Sequence, residues 1–152
     1  MLMLKPNSPL DLLALGAMLS NKDDLSLVWP DAKFPFDPEQ WRAALTARDD
    51  SASYFVAREG RTIGHGALLE TEEDGVLAVS YLYILPDQRG HGFGYQLMTL
   101  LEAEAKKTGR ARALRLRVRT YNPRAAHLYA ACGFVPSERD GTLIIMRKNL
   151  SP

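Results

Sequence analysis

Short runs of apolar and β-branched side chains, separated by polar turns, predict strands in the middle of the chain. Two such runs, at 54–58 and 62–69, flank the turn at 59–61, and this arrangement predicts a hairpin. A third strand is predicted at 76–85, after a short acidic turn. Three successive strands joined by short turns indicate an antiparallel meander.

The apolar pattern changes to a helical period in the second half of the chain. Apolar residues recur every three or four positions over 92–109, which predicts a helix that ends at a glycine. Over 114–118 leucine and valine alternate with arginine, as expected of a strand. A second helix is predicted over 122–133, and strands at 134–138 and 142–148 are expected to form a closing hairpin.

The first fifty residues contain more polar and proline-rich breaks. A strand is predicted at 1–5, followed by a helix that Ser8 caps and that ends near Leu19. Residues 20–37 are interpreted as a polar break and then an irregular, packed stretch. Asp37 is expected to cap a further helix at 38–48.

Composition favours a single domain that spans residues 1–152. Hydrophobic residues make up 46% of the chain and charged residues 24%, which is ordinary for a protein with a buried core. A net charge of +1 disfavours nucleic-acid and anionic-membrane partners. One cysteine, Cys132, and apolar runs shorter than the ~20 residues of a membrane span indicate a cytoplasmic protein. The three histidines are not spaced as metal ligands, so no metal is expected.

A glycine-rich turn joins the strand at 76–85 to the helix that follows it. Gly90, Gly92 and Gly94 lack a Cβ, so the backbone N–H groups of 89–95 can close around phosphate oxygens. The N-terminus of the helix adds a favourable dipole. The Gly-Lys-Ser/Thr sequence of a Walker loop does not follow the glycines. The carboxylate that a dinucleotide-binding fingerprint has about 20 residues further on is also missing. The turn therefore predicts an anion-binding loop of another kind.

Together with a second motif, this loop resembles the acyl-CoA loop of the GNAT N-acetyltransferase superfamily. The family pattern [QR]-x-x-G-x-[GA] matches Arg89, Gly92 and Gly94, and the second motif matches NPRAAHLYAACGF at 122–134. The resemblance covers 68–150, the acyl-CoA-binding and catalytic part, whereas 1–50 match only as variable acceptor-side elements. It implies an α/β (α+β) fold with a mixed, mostly antiparallel sheet of about six or seven strands. The sheet is expected to splay between the fourth and fifth strands and to carry about four helices.

The resemblance also implies acetyl-CoA as the co-substrate, used without a metal. Backbone groups of Leu82, Tyr83 and Ile84 are expected to pair with the pantetheine arm, and one N–H there is expected to face the thioester oxygen. Asn122 is expected to hold the pantetheine, and Tyr129 to protonate the leaving thiolate. The residues expected around the phosphates are Arg89, Gly90, His91, Gly92, Phe93, Gly94 and Tyr95.

The general base is marked less clearly. Some relatives carry a glutamate on the strand before the asparagine, and the matching position here is Arg117. We favour Glu70, acting through water, over Glu72, Tyr81 and Tyr121. Ordered water can also deprotonate the amine without a dedicated residue.

Aromatic residues are the candidates for the acceptor side of the site. Trp29, Phe34, Phe36 and Tyr81 are expected either to line it or, for the first three, to fill the core beneath the N-terminal helices. The expected acceptor is a primary amine on a small molecule, an amino acid or a peptide. A polycationic aminoglycoside is less favoured, because this segment lacks a strong acidic cluster.

Two further alternatives stay open at this stage. Arg115, Arg117 and Arg119 share one face of the predicted strand and form either a solvated face or a site for an acceptor carboxylate or the 3′-phosphate of CoA. The alternative function is a non-catalytic acyl-CoA-binding sensor, which would tolerate the loss of Tyr129. The chain is expected to be a monomer or a homodimer, and His65, between two glycines, is interpreted as a packed residue.

Overall fold

In the computed structural model, which describes residues 1–150, seven strands form one sheet in the order β1-β2-β3-β4-β5-β7-β6. The strands are β1 (Leu2–Pro6), β2 (Ala52–Arg58), β3 (Arg61–Glu70), β4 (Val76–Ile84), β5 (Ala113–Arg119), β6 (Val135–Asp140) and β7 (Leu143–Asn149). Neighbouring strands are antiparallel except for β4 and β5, which are parallel. The expected mixed, mostly antiparallel sheet is thereby confirmed.

Helices lie on both faces of this sheet. Within residues 1–150 there are five α-helices, one more than expected, and a single 3₁₀ turn at Pro86–Gln88. The helices are α1 (Leu12–Met18), α2 (Lys22–Val28), α3 (Pro38–Leu45), α4 (Phe93–Lys107) and α5 (Pro123–Ala131). None of the helices in this part of the chain is long and apolar enough to cross a membrane.

The N-terminal helices differ from the sequence-based prediction. α1 is capped by Asp11 rather than Ser8, because the Asp11 carboxylate accepts a hydrogen bond from the backbone N–H of Ala14 at 2.9 Å. The interpretation of 20–37 as irregular was wrong over α2. Asn21 caps this helix by accepting from the N–H of Asp24 at 3.0 Å, so the polar residues start a helix instead of ending one. The predicted cap of α3 by Asp37 is confirmed.

The protein has two apolar cores, one on each face of the sheet. On one face α4 and α5 cover the sheet, and Leu97 and Leu101 of α4 lie in the same core as Leu114 and Leu116 of β5. On the other face α1, α2 and α3 pack around Trp41, which is fully buried. The alternation of leucine with arginine along β5 matches this arrangement, because the leucines lie in the first core and the arginines lie on the other face of the sheet.

The sheet opens between β4 and β5, as expected. The two strands are paired only over the first three residues of each, from Val76 with Ala113 to Ala78 with Arg115. Beyond Ala78, the β5 side of β4 pairs with no strand in residues 1–150. Backbone N–H and C=O groups on that side remain available to an extended ligand, because a strand edge offers the same hydrogen bonds to any chain that lies along it.

Candidate active site

Two cavities meet in the gap between β4 and β5. The larger has a volume of about 460 Å³ and lies on the side of α2 and β5, and the smaller, of about 230 Å³, lies along the end of β4. Six residues line both: Leu27, Val28, Leu82, Asn122, Ala125 and Tyr129. The cavities therefore adjoin at Leu82 and Tyr129.

The smaller cavity runs along the end of β4 towards the glycine-rich loop. Leu82, Tyr83 and Ile84 line it, together with Arg89 and Gly94. The spacing between α4 and α5 here depends on a glycine, since a Cβ at Gly94 would lie 3.1 Å from Leu128. The sequence-predicted strand, loop and second motif therefore lie around one cavity.

The loop at the start of α4 keeps its N–H groups accessible. Gly90 and Gly92 have φ values of +83° and +78°, which residues other than glycine adopt only with strain. A Cβ at either position would meet no protein atom within 4 Å. Gly92 is also the N-cap residue of α4, and no side chain caps this end. This surface is open and rich in N–H donors. It therefore suits a bound anionic group better than a side chain of the loop.

The remaining loop residues differ in exposure. His91 and Tyr95 are exposed, whereas Phe93 is half-buried. The Phe93 ring lies 5.6 Å from that of His91 and 5.3 Å from the guanidinium of Arg58.

Arg89 ties the loop to β4 and α2. Its Nε donates to the carbonyl of Ile84 at 2.8 Å, and its guanidinium lies 3.6 Å from the Asp24 carboxylate. The Tyr83 hydroxyl donates to the same carboxylate at 2.8 Å, and burial together with Asp24 raises the pKa of Tyr83 to about 12. The Arg89 side chain therefore positions the loop, and the backbone N–H groups of the loop are left as its open hydrogen-bond donors.

Tyr129 lies where the two cavities meet. It projects from α5, whose first turn is capped by Asn122 accepting from the N–H of Ala125 at 3.3 Å. The ring packs edge-on against Phe134, and burial raises the pKa of Tyr129 to about 12. The phenol is therefore protonated at neutral pH and can donate a hydrogen bond at this position.

A bulge in β4 turns the backbone beside the gap. The register with β3 shifts by one residue between His65 and Ala67, and Tyr81 in the bulge has a φ of +54°. The Nδ1 of His65 lies 2.9 Å from the carbonyl of Tyr81 and its Nε2 lies 2.6 Å from the Ser53 hydroxyl, which also accepts from Asn7 at 3.2 Å. Because a carbonyl only accepts, His65 carries its proton on Nδ1 and accepts from Ser53.

This chain of hydrogen bonds is buried. His65 is 0% exposed, and burial lowers its pKa from 6.5 to about 4, so the imidazole is neutral at pH 7. His65 lines neither of the two cavities of the gap. It holds the β4 bulge in place.

Aromatic rings form one wall of the larger cavity. Trp29 and Tyr81 line it, with their ring centroids 5.2 Å apart. Phe36 instead stacks on Trp41 in the core at 5.4 Å, and Phe34 is half-exposed beside Lys22, outside the lining of this cavity. The structure thus brings two of the four predicted aromatics to the gap.

The candidate bases also lie around the larger cavity. Glu70 lines it, and one of its oxygens accepts from the backbone N–H of Asp50 at 2.9 Å. Glu72 is engaged by Arg115 at 2.9 and 2.8 Å, and these hydrogen bonds lower its pKa to about 2. Burial raises the pKa of Tyr81, and Tyr121 is 66% exposed at the cavity wall. Glu70 therefore retains an oxygen that no protein donor among residues 1–150 engages.

Helix α2 adds three residues that the sequence did not indicate. Leu27 and Val28 line both cavities, and Asp24 binds Arg89 and Tyr83. The capping pattern at Asn21, with two aspartates in the first turn of the helix, is the signal that could have revealed this helix. Among residues 1–150, no three His, Cys, Asp or Glu side chains are grouped so that they could hold a metal ion.

Comparison with known proteins agrees with this geometry. Spermidine N-acetyltransferase from Vibrio cholerae, solved with CoA and spermine, superimposes with a TM-score of 0.79 at 20% identity, over 97% of this chain and 95% of that one. A domain from Methanocaldococcus jannaschii gives 0.81 at 17% identity, over 99% of both chains. The aminoglycoside acetyltransferase AAC(6′)-Ib, solved with coenzyme A, gives 0.80 at 19% identity, over 98% and 95%.

Residues 19–134 also match the family model described as acetyltransferase (GNAT) family. This span is most of the chain and includes the gap between β4 and β5, the glycine-rich loop and the tyrosine of α5. The chain belongs to the acetyltransferase (GNAT) family.

Proposed function

We propose that this protein transfers an acetyl group from acetyl-CoA to a primary amine on a small molecule, an amino acid or a peptide. The observation that carries the proposal is the meeting of the two cavities at Leu82 and Tyr129. The smaller cavity, with its strand edge and glycine-rich loop, suits the donor. The larger cavity suits the acceptor. The reacting atoms would then meet beside the Tyr129 phenol.

The donor would be held mainly by backbone groups. The pantetheine amides would pair along the free edge of β4 at Leu82, Tyr83 and Ile84, and the pyrophosphate would accept from N–H groups of the loop that begins at Arg89. The bulge at Tyr81 turns the backbone next to this edge, and an N–H there would stabilise the negative charge that develops on the thioester oxygen.

In the transfer, the neutral amine attacks the thioester carbonyl carbon. A C–N bond forms, the C–S bond breaks, and the thiolate takes a proton from Tyr129. Burial raises the pKa of the Tyr129 phenol, and it raises the pKa of a thiol formed beside it for the same reason. The two pKa values therefore rise together, and the proton transfer from phenol to thiolate remains feasible. The proton lost by the amine would leave through water to Glu70, whose second oxygen is available.

The test is release of the CoA thiol from acetyl-CoA with a panel of amines, amino acids, peptides and aminoglycosides. Tyr129→Phe keeps the ring but removes the proton donor, and it is expected to lower kcat by about 100-fold, a typical contribution of a general acid. Tyr54→Phe is the control, because this phenol lines neither of the two cavities. Equal rates for wild type and Tyr129→Phe would refute the role of Tyr129.

Acetyl-CoA binding is measured in parallel by calorimetry. Tight binding without thiol release on any acceptor would overturn the proposal in favour of an acyl-CoA sensor. Absence of both binding and release would overturn the assignment of the smaller cavity to the donor.

A further inference from the structure

The larger cavity has an unequal balance of paired and unpaired charges. Its basic residues are Arg48, Arg115, Arg117 and Arg119, and its acidic residues are Asp31, Glu70 and Glu72. Arg115 and Glu72 neutralise each other through two hydrogen bonds. Glu70 already accepts from a backbone N–H, and Asp31 is exposed. The charge of the cavity wall is therefore set by the arginines that face the cavity without a carboxylate partner.

Arg117 and Arg119 differ in this respect from Arg115 and Arg147 on the neighbouring positions of the sheet, whereas Arg48, on the loop before β2, also has no carboxylate within 4 Å in residues 1–150. Arg147, opposite Arg115 on β7, is bound by Glu73 at 2.8 Å. Arg117 and Arg119 face Ile145 and Leu143 instead, and neither lies within 4 Å of a carboxylate in residues 1–150. Acids at the same register, Glu138 and Asp140 of β6, are separated from Arg117 and Arg119 by the intervening strand β7.

The two guanidinium groups share one face and reach into the acceptor side. Residues two apart on a strand have Cα atoms about 7 Å apart and project in the same direction. Arg117 lines the same cavity as Tyr81 of the aromatic wall, and its positive charge opposes the rise that burial causes in the pKa of the Tyr81 phenol. Arg119 donates to the Thr142 hydroxyl at 3.3 Å, which orients its guanidinium.

We propose that the acceptor carries a carboxylate, which Arg117 and Arg119 bind while its amine approaches the thioester. The inference rests on the proposed function and narrows it to amino acids and other amino-carboxylates. A planar guanidinium binds a carboxylate through two parallel hydrogen bonds, which orients the acceptor as well as holding it. A polyamine or aminoglycoside would bring further positive charge to a wall that already has unpaired arginines.

These arginines do not belong to the donor side. The smaller cavity, which Arg89 and Gly94 of the glycine-rich loop line, has Arg89 as its one basic lining residue, and Arg117 and Arg119 line only the larger cavity. The 3′-phosphate of CoA is therefore assigned elsewhere, and this assignment is tested by comparing the affinities for CoA and 3′-dephospho-CoA.

The experiment compares matched acceptors that differ only in the anionic group. Each amino acid is assayed beside its carboxamide, with spermidine and kanamycin as polycations. Wild type is expected to favour the carboxylate by about tenfold or more in kcat/KM, and high salt is expected to reduce this preference. Arg117→Gln and Arg119→Gln should lose the preference but keep their activity on the amides. Arg139→Gln, at an exposed position on β6, is the control.

Three results would overturn the inference. The first is that wild type acetylates the amides or polycations as well as the carboxylates. The second is that the arginine variants lose activity on both members of each pair equally. The third is that the variants weaken CoA binding but not 3′-dephospho-CoA binding, which would place the arginines on the donor phosphate.

A binding measurement separates this inference from the proposed function. Titration calorimetry of the same acceptor pairs, with CoA present, reports the carboxylate preference without any chemistry. Preferential binding without thiol release would support the inference and refute catalysis. Thiol release without a carboxylate preference would do the reverse.

Discussion

Acidification is expected to destabilise this protein through one buried side chain, His65. Burial keeps its imidazole neutral in the folded state, with a pKa of about 4 against 6.5 for an exposed histidine. Between these two values the unfolded chain binds a proton that the folded chain does not. Stability therefore falls as the pH drops below about 6.5, and the loss levels off near pH 4.

The size of the effect follows from the two pKa values. The linkage relation gives a loss of about 2 kcal/mol between pH 8 and pH 5, and about 3 kcal/mol by pH 4. This is a large fraction of a typical free energy of unfolding, which is on the order of 5–15 kcal/mol. Glu72 and Glu73, whose pKa values are lowered by hydrogen bonds from arginines, add to the loss only below about pH 4.5.

Urea unfolding followed by tryptophan fluorescence measures this, since Trp41 is buried in the folded protein. His65→Asn keeps an amide donor for the Tyr81 carbonyl but cannot titrate, so its stability should vary far less between pH 8 and pH 5. His127→Gln, at an exposed position on α5, should retain the wild-type pH dependence. If His65→Asn loses as much stability as wild type over this range, the assignment of the pH dependence to His65 is wrong.

Two glycine substitutions test the local geometry. Gly64→Ala would place a Cβ in a steric clash with the carbonyl oxygen of Tyr83, so the free energy of unfolding in urea should fall by about 2 kcal/mol or more. A fall below about 0.5 kcal/mol would contradict this clash. Gly92→Ala should lower the free energy of unfolding by about 1 kcal/mol through backbone strain, and it should also weaken CoA binding in calorimetry. Gly109→Ala, at φ +70° beyond α4, is the control and should show the strain without the change in CoA binding. Equal CoA affinities for both variants would contradict the loop's role.

Much of the fold and part of the site could be read from the sequence because the signals are local. The glycines at 90 and 92 permit the left-handed backbone that the loop adopts, and Asp37 caps the helix that begins directly after it. The motif at 122–134 predicted the helix that carries Tyr129, which the structure places between the two cavities. Helix α2 was missed because its polar first turn, Lys22 to Asp24, was interpreted as a break between elements, although Leu25 is buried in the core around Trp41.

The sequence by itself determined the strands, four of the five helices, the glycine-rich loop and the alternation of leucine with arginine along β5, because each depends on residues a few positions apart. Only the tertiary structure decided which groups meet. The bulge at Tyr81 is held by Asn7, Ser53 and His65, which lie on separate segments of the chain. Arg117 and Arg115 look alike in the sequence, yet the strand order gives a carboxylate to one of them alone. Burial and pairing depend on such long-range neighbours, which no local pattern specifies.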